Sequence, residues 1–286
     1  RLSQSLEQAR HLLVQGWELA RTLQDPWLAS EVTSGLRGLY LRLGDHSMAA
    51  EVTEEHMELV AGFQDPVSVF ESLLSFAGEL MEEDGNADAA AKVLRRAVKT
   101  APDDGYRSDA WLRLGQLHCR EDECEEAFKC YDAACALAER TGDQMTFVDC
   151  LEKKSLLHFY LENTEDSIAC LSTAHEILMR TDPLDRERLL ENRRSLGVAY
   201  LMDGHWALAE EALRSAMEHY NVMNCDLDSR HRVLYNESHV LLFDALEKAL
   251  LQQGKVSEAL LASDERRARV LWRHVARGEG AAEGSS

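Results

Sequence analysis

Apolar positions along this chain recur three and four apart over stretches of roughly four or five helical turns, with short polar breaks between them. That spacing lays each apolar set on one face of a helix. The period-two alternation of a half-buried strand is not seen. The pattern predicts a leading helix over 3–23 and then six helical pairs. First helices fall near 27–42, 67–83, 105–121, 145–161, 185–203 and 230–252. Second helices fall near 45–63, 87–100, 123–140, 164–180, 206–221 and 255–275. Val222–His231 adds a polar insertion or an extended helix start, and the small, polar residues of 277–286 predict a disordered tail.

Within 108–143, large and small residues alternate at fixed offsets: Trp111, Leu114 and Gly115, then Ala127, Tyr131 and Ala134. Small residues at such offsets let two helices touch while large ones fill the space beside them. Taking Ala127 as a marker, equivalents occur at Ala9, Ala49, Ala90, Ser167, Ala209 and Ala259, with steps of 37 to 42 residues until a last step of 50. A near-constant period signals stacked units, each burying its apolar face on its neighbours. The pattern resembles the tetratricopeptide repeat, with His118 standing where that family usually has Tyr. The resemblance implies an all-α fold, a right-handed α–α superhelix of about six hairpins plus the leading helix, filling residues 1–276. It also implies a binding scaffold with interchangeable surfaces. The step of about 40 residues resembles the longer repeats of kinesin light chains and spindle-orientation adaptors.

Punctuation agrees with this register. Pro26, Pro66, Pro102 and Pro183 sit where one pair hands over to the next, as suits a residue with fixed φ and no N–H. Asp25, Asp65, Asp143 and Asp182 stand at the same junctions as candidate helix caps. Gly44, Gly85, Gly204 and Gly254 each lie five residues before a marker, where a left-handed turn would join paired helices.

Composition narrows the function. The chain of 286 residues carries 31 basic and 51 acidic groups, a net charge of −20. That balance argues against nucleic-acid backbones and anionic membranes as partners, and for protein segments, including basic ones. Seven cysteines without a disulfide-like spacing predict reduced thiols and a cytoplasmic protein. The chain starts with Arg1 already in helical pattern, so a piece of a longer protein is expected.

Cys119, Cys124, Cys130 and Cys135 cluster beside His118, but their gaps do not form the paired CxxC spacing of a zinc site. Cysteine packs as a small apolar residue, so no metal and no cofactor are expected. His118 and His158 share one repeat position and read as packing residues. Neither a nucleophile elbow, a phosphate loop nor HExxH is present, so no catalytic residue is assigned and the chain is not expected to be an enzyme.

In stacked helical pairs the first helices line the concave face. Register places Arg113 and Gln116, then Lys153, Leu156, Phe159 and Tyr160, then Arg194 and Val198 there, with Glu79 and Glu83 further upstream. Glu152 shares the face. Arg113, Lys153 and Arg194 would form a basic row for an acidic partner segment, and the glutamates an acidic end for a basic one. The lysine–asparagine clamp of repeat proteins that bind chaperone tails is missing, with Asn192 the one asparagine expected near this face. Residues 241–275, with Glu258, Ala259, Leu260, Glu265, Arg266, Arg267, Ala268 and Arg269, resemble the last repeat before the caspase-like CHAT peptidase domain in proteins that fuse the two. That resemblance implies a recognition or regulatory part of a larger protein. An alternative is a self-associating scaffold, a homodimer through the leading helix with Leu12, Leu13, Trp17 and Leu19 on offer.

Overall fold

The computed structural model describes residues 2–82, 87–225, 227, 231–232, 235 and 238–267. These residues are helical with short connections, and none of them is in a strand. They divide into two units, Arg1–Cys150 and Leu151–Ser286. No described helix is long and apolar enough to cross a membrane. The expected tail, Glu83, Gly85, Ala268 and Arg269 lie outside the described residues.

The first unit holds α1 (Leu2–Leu23), α2 (Pro26–Arg42), α3 (His46–Ala61), α4 (Pro66–Glu82), α5 (Ala87–Thr100), α6 (Asp104–Arg120) and α7 (Cys124–Thr141). The unit boundary falls inside α8 (Gln144–Tyr160). The second unit continues with α9 (Thr164–Thr181), α10 (Arg186–Met202), α11 (Trp206–Cys225), α12 (Val240–Gln252) and a final helical segment, 256–267. Boundaries match the expected ones within a few residues, except that α11 runs on to Cys225 and α12 starts at Val240, ten residues after the expected 230. Beyond it, Arg232 Nη2 donates to the Leu227 carbonyl at 2.7 Å and Nε to that of Asn224 at 3.2 Å, tying down part of the extra length.

Helix starts are written in aspartates. Asp25 accepts from the Trp27 and Leu28 amides at 3.0 and 3.1 Å, with Pro26 in the first helical position. Asp45, Asp65, Asp103 and Asp143 cap α3, α4, α6 and α8 in the same way. Asp182 is a correction. It closes α9, its amide on the Leu178 carbonyl at 2.9 Å, while Asp185 caps α10 through the Arg188 amide at 3.0 Å. The cause is Pro183, which disfavours helical geometry at the residue before it and delays the next helix.

Five helix ends close in the same way. In the turns at Gly44, Asp122, Glu162, Gly204 and Gly254, φ is +59° to +78°. The next amide bonds back to the carbonyl five residues earlier: Asp45 to Tyr40, Glu123 to His118, Asn163 to His158, His205 to Tyr200 and Lys255 to Leu250, all at 2.8–3.0 Å. This is the Schellman closure. It sits five residues before the marker whether or not a glycine is there.

Small residues set the helix contacts. A Cβ on Gly115 would come within 2.5 Å of the Tyr131 ring, and one on Gly197 within 2.4 Å of Leu213 Cγ. The first unit's core centres on Phe70, Leu73, Phe76, Leu80 and Leu94, all at most 1% exposed. The second unit's core includes Leu190, Leu213, Tyr220, Phe243 and Leu250. At about 1.5–3 kcal/mol per large buried apolar side chain, these layers supply the main drive for stacking.

Candidate functional site

The best-formed candidate lies in the second unit. Leu156 and Phe159 from α8 face Arg194, Ser195 and Val198 from α10 across a cavity of about 170 Å³, with Ser155, Ser167 and Leu171 behind them. Four of the residues expected on the groove therefore meet around one space. Two of the three serines are spent on backbone: Ser155 Oγ donates to the Glu152 carbonyl at 2.8 Å and Ser167 Oγ to the Ser155 carbonyl at 3.0 Å. A dry cavity of ~150 Å³ can hold a benzene-sized molecule, so this one has room for an aliphatic or aromatic side chain. Leu156 is 56% and Tyr160 64% exposed. Leu156 thus leaves apolar surface open on the cavity lining.

Arg194 brings charge to the cavity lining. Arg194 Nε donates to Glu191 Oε2 at 3.0 Å, and His239 Nδ1 stands 3.7 Å from Glu191. Lys153 is half-buried on α8. Its neighbour Glu152 lies 4.0 Å from Arg188. Burial pushes the Glu152 carboxyl up to about 7, Lys153 opposes this, and the nearby Glu191 and Asp185 charges add to it. The Glu152 carboxyl therefore changes charge near neutrality.

In the first unit, Arg113 is exposed and pairs with Asp109 at 3.2 Å along α6, while Gln116 is half-buried. Glu79 is exposed and accepts from the Ser34 hydroxyl. Two members of the expected basic row, Arg113 and Arg194, thus already have carboxylate partners on their own helices. Such exposed pairs are weak, so a partner's carboxylate could replace either one. Asn192 is another correction: it is 1% exposed, its Nδ2 donating to the Leu171 carbonyl at 3.1 Å, and it belongs to the core.

The conspicuous residues of 108–143 are packing. Tyr131 is 2% exposed, and burial raises its phenol well above the ordinary value. Burial pushes the Cys130 thiol up to about 11, which keeps it a thiol at neutral pH. Among the described residues no three His, Cys, Asp or Glu side chains gather to hold a metal. His118, 6% exposed, places Nδ1 2.5 Å from Glu123, and His158 places its own 3.9 Å from Asp166. Each histidine meets an acid at the start of the following helix.

A cleft that the repeat pattern does not foretell lies between α1 and α3, about 460 Å³ in volume and lined by Trp17, Arg21, Glu55, Glu58 and Phe63 among others. Leu13 and Trp17 pack on α2, whereas Leu12 and Leu19 are 65% and 51% exposed. Half of the apolar edge expected on α1 is therefore already used.

No protein-family model and no curated protein matches the sequence. Solved structures do. The apo form of RapI is 13% identical with a TM-score of 0.61, over 90% of this chain and 76% of that one. BtubC (BKLC) from P. vanneervenii is 19% identical with a TM-score of 0.55, over 78% of this chain and 94% of that one. Aspartyl phosphate phosphatase F from Bacillus subtilis is 12% identical with a TM-score of 0.54, over 88% and 73%. At these identities the likeness is one of fold, and the fold is the all-α, tetratricopeptide-type stack of helical hairpins.

Proposed function

We propose that the chain is a protein-interaction module whose second unit binds a partner segment along α8 and α10. The observation that carries this reading is the 170 Å³ cavity joining Leu156, Phe159 and Val198 to Arg194. An apolar anchor of the partner enters the cavity. Tyr160 covers it, and Arg194 and Lys153 hold a carboxylate beside it. In the first unit, Arg113, Gln116 and Glu79 offer further contacts, with Glu83 expected beside them. Seven cysteines without a disulfide-like spacing support a reducing, cytoplasmic setting. The CHAT-like motif near the C-terminus supports service to a larger protein.

Peptides selected from a random library supply the probe. With a photo-crosslinking amino acid at Leu156, the peptide should attach there. With the same group at the exposed Met179 on α9 it should not. Attachment at Met179 alone would move the site elsewhere.

A second reading rests on the exposed Leu12 and Leu19 of α1: two copies pair through this helix. Light scattering across a hundredfold range of concentration tests it, and a constant monomer mass excludes it.

A further inference from the structure

The wall of the α8–α10 cavity is apolar where Leu156, Phe159, Leu171 and Val198 form it. Its hydroxyls differ from one another. Ser155 and Ser167 each donate to a backbone carbonyl, at 2.8 and 3.0 Å. Ser195 lines the same cavity and forms no hydrogen bond among the described residues. A helical serine can turn back to a carbonyl three or four residues earlier, as Ser155 does. Ser195 does not, so its proton and both lone pairs stay available. It is half-buried. Left open, that hydroxyl is solvated. Covered by a wholly apolar group, it would lose its water and gain no partner, which is costly.

Arg194 stands next to it on the same wall. Its Nε and Nη2 both go to a single oxygen of Glu191, Oε2. Its Nη1 has no acceptor among the described residues. Ser195 and Arg194 thus offer an acceptor and a donor side by side, the complement of a phenol O–H. Size agrees. A cavity of ~150 Å³ takes benzene, so about 170 Å³ suits one six-membered ring and is tight for an indole.

We propose that the partner's anchor is a tyrosine, with its ring in the α8–α10 cavity and its hydroxyl donating to Ser195 Oγ and accepting from Arg194. The inference rests on the reading of this cavity as the docking site. Ser195 is then the residue that tells tyrosine from phenylalanine. A phenylalanine ring fills the same space but strands the serine hydroxyl, and a site built around a hydrogen bond discriminates against the analogue that lacks it. A methionine or leucine anchor has the same defect. A tyrosine satisfies both ends at once, as a buried phenol requires.

The probes are p-cresol and toluene, the side chains of tyrosine and phenylalanine without their backbone. Methyl-resolved NMR read at Leu156 and Val198 reports location and affinity in one titration. In a purely apolar cavity toluene would bind more tightly, since it has no hydroxyl to desolvate. The expected order is the reverse: p-cresol should bind at least about threefold tighter than toluene. Ser195→Ala should weaken p-cresol at least about threefold and leave toluene as tight as before or tighter. Three results overturn the tyrosine anchor while the cavity keeps its docking role: toluene bound as tightly as p-cresol, a preference for p-cresol that survives Ser195→Ala, or a variant that weakens both probes alike, which would make Ser195 structural. Methyl signals of Leu156 and Val198 that move with neither probe would overturn the docking reading itself, and the anchor with it.

Discussion

His56 offers a sharp test of how the first unit is held together. It is fully buried, with its ring 4.4 Å from that of Phe76. Thr33 Oγ1 gives its one proton to the Ala29 carbonyl at 2.6 Å, so His56 Nδ1, 3.1 Å away, must be the donor to Thr33. That fixes the tautomer and leaves Nε2 bare and unpartnered. A second proton would sit on Nε2 with neither water nor acceptor, so burial lowers the pKa from 6.5 to about 4. The sign follows. Between pH 6.5 and 4 the unfolded chain binds the proton and the folded one does not, so this group's contribution to stability falls as pH falls. From pH 7 to pH 5 the loss is about 2 kcal/mol, at 1.36 kcal/mol per pKa unit. His56→Leu removes the titration while keeping an apolar side chain. Urea unfolding of both proteins at pH 7 and pH 5 isolates the effect, since every other group titrates in both. The stability gap between parent and variant should shift by about 2 kcal/mol in the variant's favour at pH 5. A gap that does not change with pH would show that His56 is already protonated or reaches solvent, and the argument from the tautomer would fail.

Other predictions concern the turns and contacts. Glu162→Gly should raise stability by about 0.5–1 kcal/mol by urea unfolding, because Glu162 holds φ at +60° where glycine is at ease; a loss would mean that its side chain anchors the turn. Gly197→Ala gains about 1 kcal/mol of helix propensity but drives a methyl into Leu213, and the net should be a loss of about 1–2 kcal/mol. An unchanged unfolding midpoint would mean that α10 and α11 can part without cost. Asp185→Ala should cost about 1 kcal/mol by loss of the α10 cap, against less than about 0.5 for Asp182→Ala. The reverse order would restore Asp182 as the cap.

Most of the fold was legible because the period of small residues is a property of contact. Gly115 and Gly197 are small where another helix presses on them, and that pressure recurs with every repeat. Turns were half legible. Gly44, Gly204 and Gly254 show the left-handed position, but Asp122 and Glu162 adopt it with no glycine to mark it, because the backbone closure sets the conformation. The α8–α10 cavity was legible as a shared face but not as a space. Register put Leu156, Phe159, Arg194 and Val198 on the same side, yet no one-dimensional pattern tells that they enclose a cavity. Nor could it tell that Arg113 and Arg194 pair within their own helices, since an acid three or four residues away is common and says little about rotamers.

The claim that the α8–α10 surface is the docking site is tested most directly by titrating a selected peptide against the parent, Leu156→Asp and Met179→Asp. Both side chains are about half exposed, so neither change should unfold the protein. With Leu156 at the centre of the contact, its replacement should weaken binding at least tenfold, about 1.4 kcal/mol or more, and the α9 change should leave it unaltered. Equal affinity for the parent and Leu156→Asp would contradict the account and send the partner to another surface.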